Sequence, residues 1–149
     1  EENGMEPIRI SQINYSLAHS SVETFGDNTL VCMDTKEFRW YKKHDFPVMA
    51  FSPQAKGFFA KLAKGDAANN LPEGQYAGPA NLARLAKVKQ LSEQTGDTPA
   101  KITLGYLNSQ PFFVSSVFAV TKLWQLDEDM EAQDLTYDPK TVAFLENMI

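Results

Sequence analysis

The run Phe46–Phe51, FPVMAF, constrains this chain more than any other stretch. Its length fits a strand and falls short of a helix. Pro47 sits near its start, where a strand tolerates it. Being apolar on both faces, such a strand calls for cover from both sides, the usual condition of parallel strands joined by helices. Ser52-Pro53 ends the run, and Gly57–Leu62 has room for one or two turns of helix.

The flanking sequence supplies the rest of an alternating pattern. Pro7–Tyr15 places Ile8, Ile10 and Ile13 as a strand would, and the polar, glycine-containing stretch Ser16–Asn28 reads as a loop. Asp34 with Glu37 has the form of a helix start, and the helix runs to about Lys43 with Phe38 and Tyr41 on one face. Lys64–Ala80 reads as a long loop. Asn81–Thr95 puts Leu82, Leu85, Val88 and Leu91 at helical spacing, closed by Gly96. Thr98-Pro99 opens another helix, carrying Ile102, Leu104, Tyr106 and Leu107. Phe112–Val120 reads as a third strand. A helix then starts at Thr121 or Lys122 and runs to about Ala132, and Asp138-Pro139 starts a last one through Phe144 and Leu145. Strands alternating with helices imply parallel strands and helical crossovers.

Composition excludes several classes. At 149 residues, 43% hydrophobic and 22% charged, the chain reads as one globular domain. A net charge of −5 without a basic stripe argues against nucleic acid or an anionic membrane as partner. No apolar run approaches the ~20 residues of a membrane span. The single cysteine, Cys32, fits a reducing compartment, with the cytoplasm as default location. His19 and His44 have no companions at metal-ligand spacing, so no metal site is expected. Ser115-Ser116 lacks a partner base. Neither glycine-rich dinucleotide motif nor phosphate loop is present. The chain begins Glu1-Glu2-Asn3-Gly4, with Met5 its first methionine, and the expectation is a portion of a longer reading frame.

The chemistry concentrates in Ala50–Phe59. A strand ends in Ser52-Pro53, followed by Gln54, Lys56 and Gly57. A hydroxyl, backbone N–H groups and one cation suit a diphosphate, and Gly57 lets backbone approach a ligand closely. The same residues also make an ordinary strand-to-helix turn, and spacing alone does not choose between the two.

This segment resembles the strand-seven loop of aldo-keto reductases, A-Y-S-P-L-x-x-G. Three further stretches agree in order: Ser11–Leu17 resembles N-Q-x-x-Y-S-L of strand six, Thr98–Leu107 resembles T-P-A-Q-x-A-L-A-W-L, and Thr121–Met130 is similar to the closing T-K/R-S-x-E-Q-L-E-E-N. On these, spread over Pro7–Ala132, the chain is identified as a member of that family. The resemblance implies an α/β fold, a partial TIM (β/α)8 barrel holding strands six to eight. It makes 1–149 the C-terminal part of the domain, with 133–149 its terminal helix region.

The resemblance also implies a nicotinamide dinucleotide, NADP(H), with NAD(H) left open. Gln12 matches the glutamine at the nicotinamide carboxamide, and Phe51 the aromatic stacked on the nicotinamide ring. Ser52, Gln54, Lys56 and Gly57 fall at the diphosphate. Thr121 and Lys122 fall where a cationic pair meets the 2′-phosphate, and Gln125, Glu128 and Asp129 at the adenosine. Three departures stand out: no proline-glycine within Val117–Val120, Thr121 in place of one cation, and Asp129 in place of an asparagine.

The family's acid–base tyrosine and its lysine, aspartate and histidine come from earlier strands. None of Tyr15, Tyr41, Tyr76, Tyr106 or Tyr137 matches that motif, so no catalytic residue is expected here. Two functions are implied. One is an oxidoreductase portion, for aldehydes, ketones or sugar alcohols once the missing N-terminal barrel segment is supplied. The other is a non-enzymatic nucleotide-binding or interaction module. A barrel closes only with all its strands, so Ile10, Val48 and Val117 are expected to stand uncovered.

Overall fold

In a computed structural model that describes residues 4–65 and 76–146, the fold is carried by three short strands. They are β1 (Ser11–Asn14), β2 (Val48–Phe51) and β3 (Val114–Val117), all parallel and in that spatial order. Helices α1 (Val22–Phe25) and α2 (Thr35–His44) connect β1 to β2. A 3₁₀ turn (Ala55–Gly57), α3 (Phe58–Ala63), α4 (Pro79–Thr95) and α5 (Pro99–Asn108) lead from β2 to β3. Helices α6 (Leu123–Met130) and α7 (Pro139–Glu146) follow. The α/β class, the parallel strands and the helical crossovers agree with the sequence pattern.

Local chemistry sets most helix ends. The Asp34 carboxylate accepts the N–H groups of Lys36 and Glu37 at 2.7 and 2.8 Å, starting α2. Thr98 accepts the Lys101 N–H at the start of α5, with Pro99 in its first turn. Gly96 closes α4 at φ 80°, a left-handed conformation that glycine adopts without a Cβ penalty. Asp138 accepts the N–H groups of Lys140 and Thr141 ahead of α7.

Several expected boundaries shift. The strand expected over Pro7–Tyr15 shrinks to β1, since its first residues pair with no neighbour and Ile8 is exposed. Likewise Phe112–Val120 contributes only Val114–Val117. The expected loop Ser16–Asn28 contains α1, where Ser21 and Thr24 cap each other's backbone. In the stretch Lys64–Ala80, residues 66–75 lie outside the described ones, and Pro79-Ala80 already belong to α4. Helix α4 turns Leu85, Val88 and Leu91 inward as expected, but its first turn differs: Leu82 is 49% exposed while Asn81 is 3% exposed. Asn81 earns that place by three bonds, accepting the His19 N–H and donating to the carbonyls of His19 and Tyr76.

The sheet has two unlike faces. Across the strands, Ile13 stands beside Ala50 and Ala50 beside Ser116; the next row pairs Asn14 with Phe51 and Phe51 with Val117. Side chains alternate along a strand, so adjacent rows point to opposite sides. Ile13, Val48 and Ala50 join Phe58, Val88, Ile102, Leu107 and Leu145 in one core beneath the helices. On the other face Gln12 and Val117 are exposed, and Met49 and Phe51 are half-buried. Two expectations are thereby corrected. Among the described residues the FPVMAF strand is sealed on one side only, because the helices lie on one side. Val48 is not left uncovered: it is 0% exposed beneath those helices, while Ile10 and Val117 are open as expected. The outer side of β1 carries Val31–Met33, through bonds from Asn14 N–H to Val31 and from Met33 N–H to Asn14.

Candidate functional site

Parallel strands place their C-terminal ends, and the loops that leave them, at one end of the sheet, where α/β folds build their sites. Here the loops after β2 and β3 surround a cavity of about 800 Å³. Ser52, Pro53, Gln54, Lys56 and Gly57 enter from the first loop, and Val117–Thr121 from the second. Helix α3 and its C-cap add Phe59, Ala60, Lys61 and Lys64. The start of α5 adds Thr98, Pro99, Ala100 and Thr103, and α6 adds Trp124, Gln125, Glu128 and Asp129.

The loop after β2 is held in an uncommon backbone. Ser52, Ala55, Lys56 and Gly57 have φ of 53°, 50°, 56° and 80°. For residues carrying a Cβ, such conformations cost about 1–3 kcal/mol each. The surroundings hold it. Ala55 N–H donates to Ser52 and Gly57 N–H to Gln54, both at 2.9 Å, and the Ala55 methyl lies in the core. The Lys56 ammonium stands 5.9 Å from the centre of the Phe25 ring. A Cβ at Gly57 would also meet the Lys61 stem at 3.4 Å.

Gln54 ties this loop to α6 across 75 residues of sequence: its amide donates to Asp129 Oδ1 at 2.6 Å. Asp129 is 4% exposed, and its Oδ2 has no partner among the described residues. Burial pushes its carboxyl above the usual carboxylate range; the Gln54 bond opposes that shift and Glu128 adds to it. At the other end of α6, Gln125 is spent on capping. Its Oε1 accepts the N–H groups of Thr121 and Lys122 at 3.0 and 2.9 Å, and the Thr121 hydroxyl at 3.2 Å.

Of the residues singled out in the sequence, Ser52, Gln54, Lys56, Gly57, Thr121, Gln125, Glu128 and Asp129 line this cavity. Three do not. Lys122 is exposed at the N-cap of α6, outside the lining. Gln12 and Phe51 lie on the open sheet face. That face adjoins the cavity, since Phe51 pairs with Val117, which belongs to both. Lys61, Lys64, Thr103 and Trp124 were not foreseen. Their one sequence signal was the helical spacing of Lys61 and Lys64, which would have put both on one face of α3. Among the described residues no group of side chains is arranged to hold a metal ion, and no helix is long and apolar enough to cross a membrane.

Comparison with known proteins bears on this geometry. The model of the aldo/keto reductase family matches residues 4–149. A thermostable aldo-keto reductase, crystallised in complex with the inhibitor epalrestat, is similar with a TM-score of 0.63 at 14% identity, covering 98% of this chain and 42% of that one. An aldo/keto reductase from Klebsiella pneumoniae in complex with NADP and acetate is similar with a TM-score of 0.59 at 19% identity, covering 93% of this chain and 38% of that one. The chain thus spans less than half the length of either structure, and at these identities the likeness is one of fold.

Proposed function

The chain belongs to the aldo/keto reductase family, and from that premise we propose that it is the dinucleotide-holding part of an NADP(H)-dependent oxidoreductase. In this reading residues 1–149 are the C-terminal part of the domain, contributing strands six to eight, with 133–149 its terminal helix region. The open sheet face and the small share of each relative's length support that placement.

One observation carries the reading: a single cavity joins the loop after β2 to α6 and continues through Val117 onto the open face. That path suits an extended dinucleotide. The nicotinamide lies along the open face, its carboxamide toward Gln12 and its ring against Phe51. The diphosphate lies at Ser52, Gln54, Lys56 and Gly57. The adenosine lies toward α6, near Thr121, Lys122, Gln125, Glu128 and Asp129. NADP in the Klebsiella relative supports the choice of ligand class.

When bound, the nicotinamide supplies the hydride chemistry. This chain's residues bind and orient it. Proton transfer to a carbonyl needs an acid beside both substrate and cofactor. We assign none here, and propose that a tyrosine with lysine, aspartate and histidine comes from earlier strands of a complete barrel. That barrel would reduce aldehydes or ketones, or oxidise sugar alcohols. A cytoplasmic location accompanies the proposal, in keeping with the lone thiol of Cys32.

The test is a titration of the 149-residue chain with NADPH, followed by the cofactor's fluorescence, together with an aldehyde-reduction assay on the same preparation. Saturable binding without turnover is the expected result. A correctly folded chain that leaves NADPH fluorescence unchanged would sink the binding assignment, and measurable turnover would sink the assignment of catalysis to other strands.

A further inference from the structure

Charge is unevenly distributed around the cavity. Lys56 reaches it from the loop after β2, and Lys61 and Lys64 from α3 and its C-cap, whereas Glu128 and the buried Asp129 reach it from α6. A phosphate entering this space is repelled by the α6 carboxylates and drawn toward the α3 lysines. The start of α6 does not change that balance. Thr121 lines the cavity but is neutral, and both its N–H and its hydroxyl are engaged by Gln125. Lys122 is charged but lies outside the lining.

Trp124 is the second element. It lines the cavity and is 54% exposed, which leaves much of its ring open to a ligand. The Lys64 ammonium stands 5.1 Å from its ring centroid. That contact fixes a cation against an aromatic plane within a cavity, and Lys64 forms no ion pair among the described residues. An aromatic face with a cation beside it suits a flat heterocycle bearing a nearby phosphate.

Building on the dinucleotide reading, we propose that Lys64, held over Trp124, pairs with the 2′-phosphate of NADPH while the indole offers its face to the adenine. Lys64, rather than Lys122, then sets any preference for NADPH over NADH. Glu128 and Asp129 reinforce it by excluding phosphate from their own side.

The experiment uses two fragments that differ at the phosphate in question, 2′,5′-ADP and 5′-AMP. Each is titrated into the full chain by calorimetry. A parallel titration follows indole fluorescence in a Trp40→Phe background, which leaves Trp124 as the sole tryptophan of the two. Both fragments should quench Trp124, and 2′,5′-ADP should bind more tightly. Lys64→Met should weaken 2′,5′-ADP roughly ten- to a hundredfold, as for loss of one hydrogen bond between charged groups, and leave 5′-AMP nearly unchanged. Lys64→Arg should keep most of the difference, and Lys122→Met all of it. Equal weakening of both fragments by Lys64→Met, or loss of the difference in Lys122→Met, overturns the inference and leaves the dinucleotide reading standing. Absence of binding by either fragment to the unaltered chain removes that reading, and this inference with it.

Discussion

The two faces of the sheet are made by the same twelve strand residues and serve opposite ends. On the helix side, Val48 and Ala50 are wholly buried with Phe58 and Ile102, and the removal of that apolar surface from water stabilises the chain. On the other side, Gln12, Met49, Phe51 and Val117 leave a half-open strip that continues into the cavity. One face is committed to folding. The other is left partly open by the helices among the described residues.

The sharpest test of that contrast is Phe58→Ala, which empties a fully buried aromatic site beneath the sheet. It should lower stability by about 3–5 kcal/mol, read from the urea midpoint. A smaller effect is expected from Gly105→Ala. There a Cβ would stand 2.8 Å from Tyr137 Cε2 and 2.9 Å from Leu135 Cγ. Overpacking of this kind costs about 1–3 kcal/mol, offset by about 1 kcal/mol of helix propensity. A modest net loss is expected, and a net gain in midpoint would show that the approach of Leu135 and Tyr137, ahead of α7, is looser than the distances imply.

Asp129 sits where the two environments meet, and its effect should appear as a slope with pH. Burial raises its carboxyl, so between the ordinary carboxylate value and the raised one the folded chain holds a proton that the unfolded chain has lost. Stability from this group is therefore complete at low pH and declines as pH rises through that window. Subtracting the pH–stability curve of Asp129→Asn from that of the parent isolates it, and a flat difference would refute the burial argument. The smallest effect belongs to Gln12→Ala on the open face. Stability should move by no more than about 0.5 kcal/mol, while NADPH affinity falls. A stability loss comparable to that of Phe58→Ala would erase the distinction between the faces.

What the sequence disclosed follows the range of the interactions involved. Asp34, Thr98-Pro99, Gly96 and Asp138-Pro139 act on backbone within a few residues, and each marks a helix end where expected. Strand lengths were less legible, because pairing depends on whether a neighbour lies alongside; Pro7–Ile10 has the composition of a strand and no partner. The four-residue α1 was hidden by its brevity, though the Ser21/Thr24 cap was there to be seen. Most candidate site residues share the cavity because they follow strand ends or sit on α6. Hidden were the contacts across the cavity, Gln54 to Asp129 and Lys64 to Trp124, which join residues dozens of positions apart with no local signature.

The bridge between Asn14 and Cys32 has a consequence for how the sheet can be extended. It occupies the flank of β1 with Val31–Met33, whereas β3 ends the sheet with no strand beyond it among the described residues. Among the described residues the bridge covers β1 only at Asn14, so β3 is the barer of the two edges at which further strands would pair.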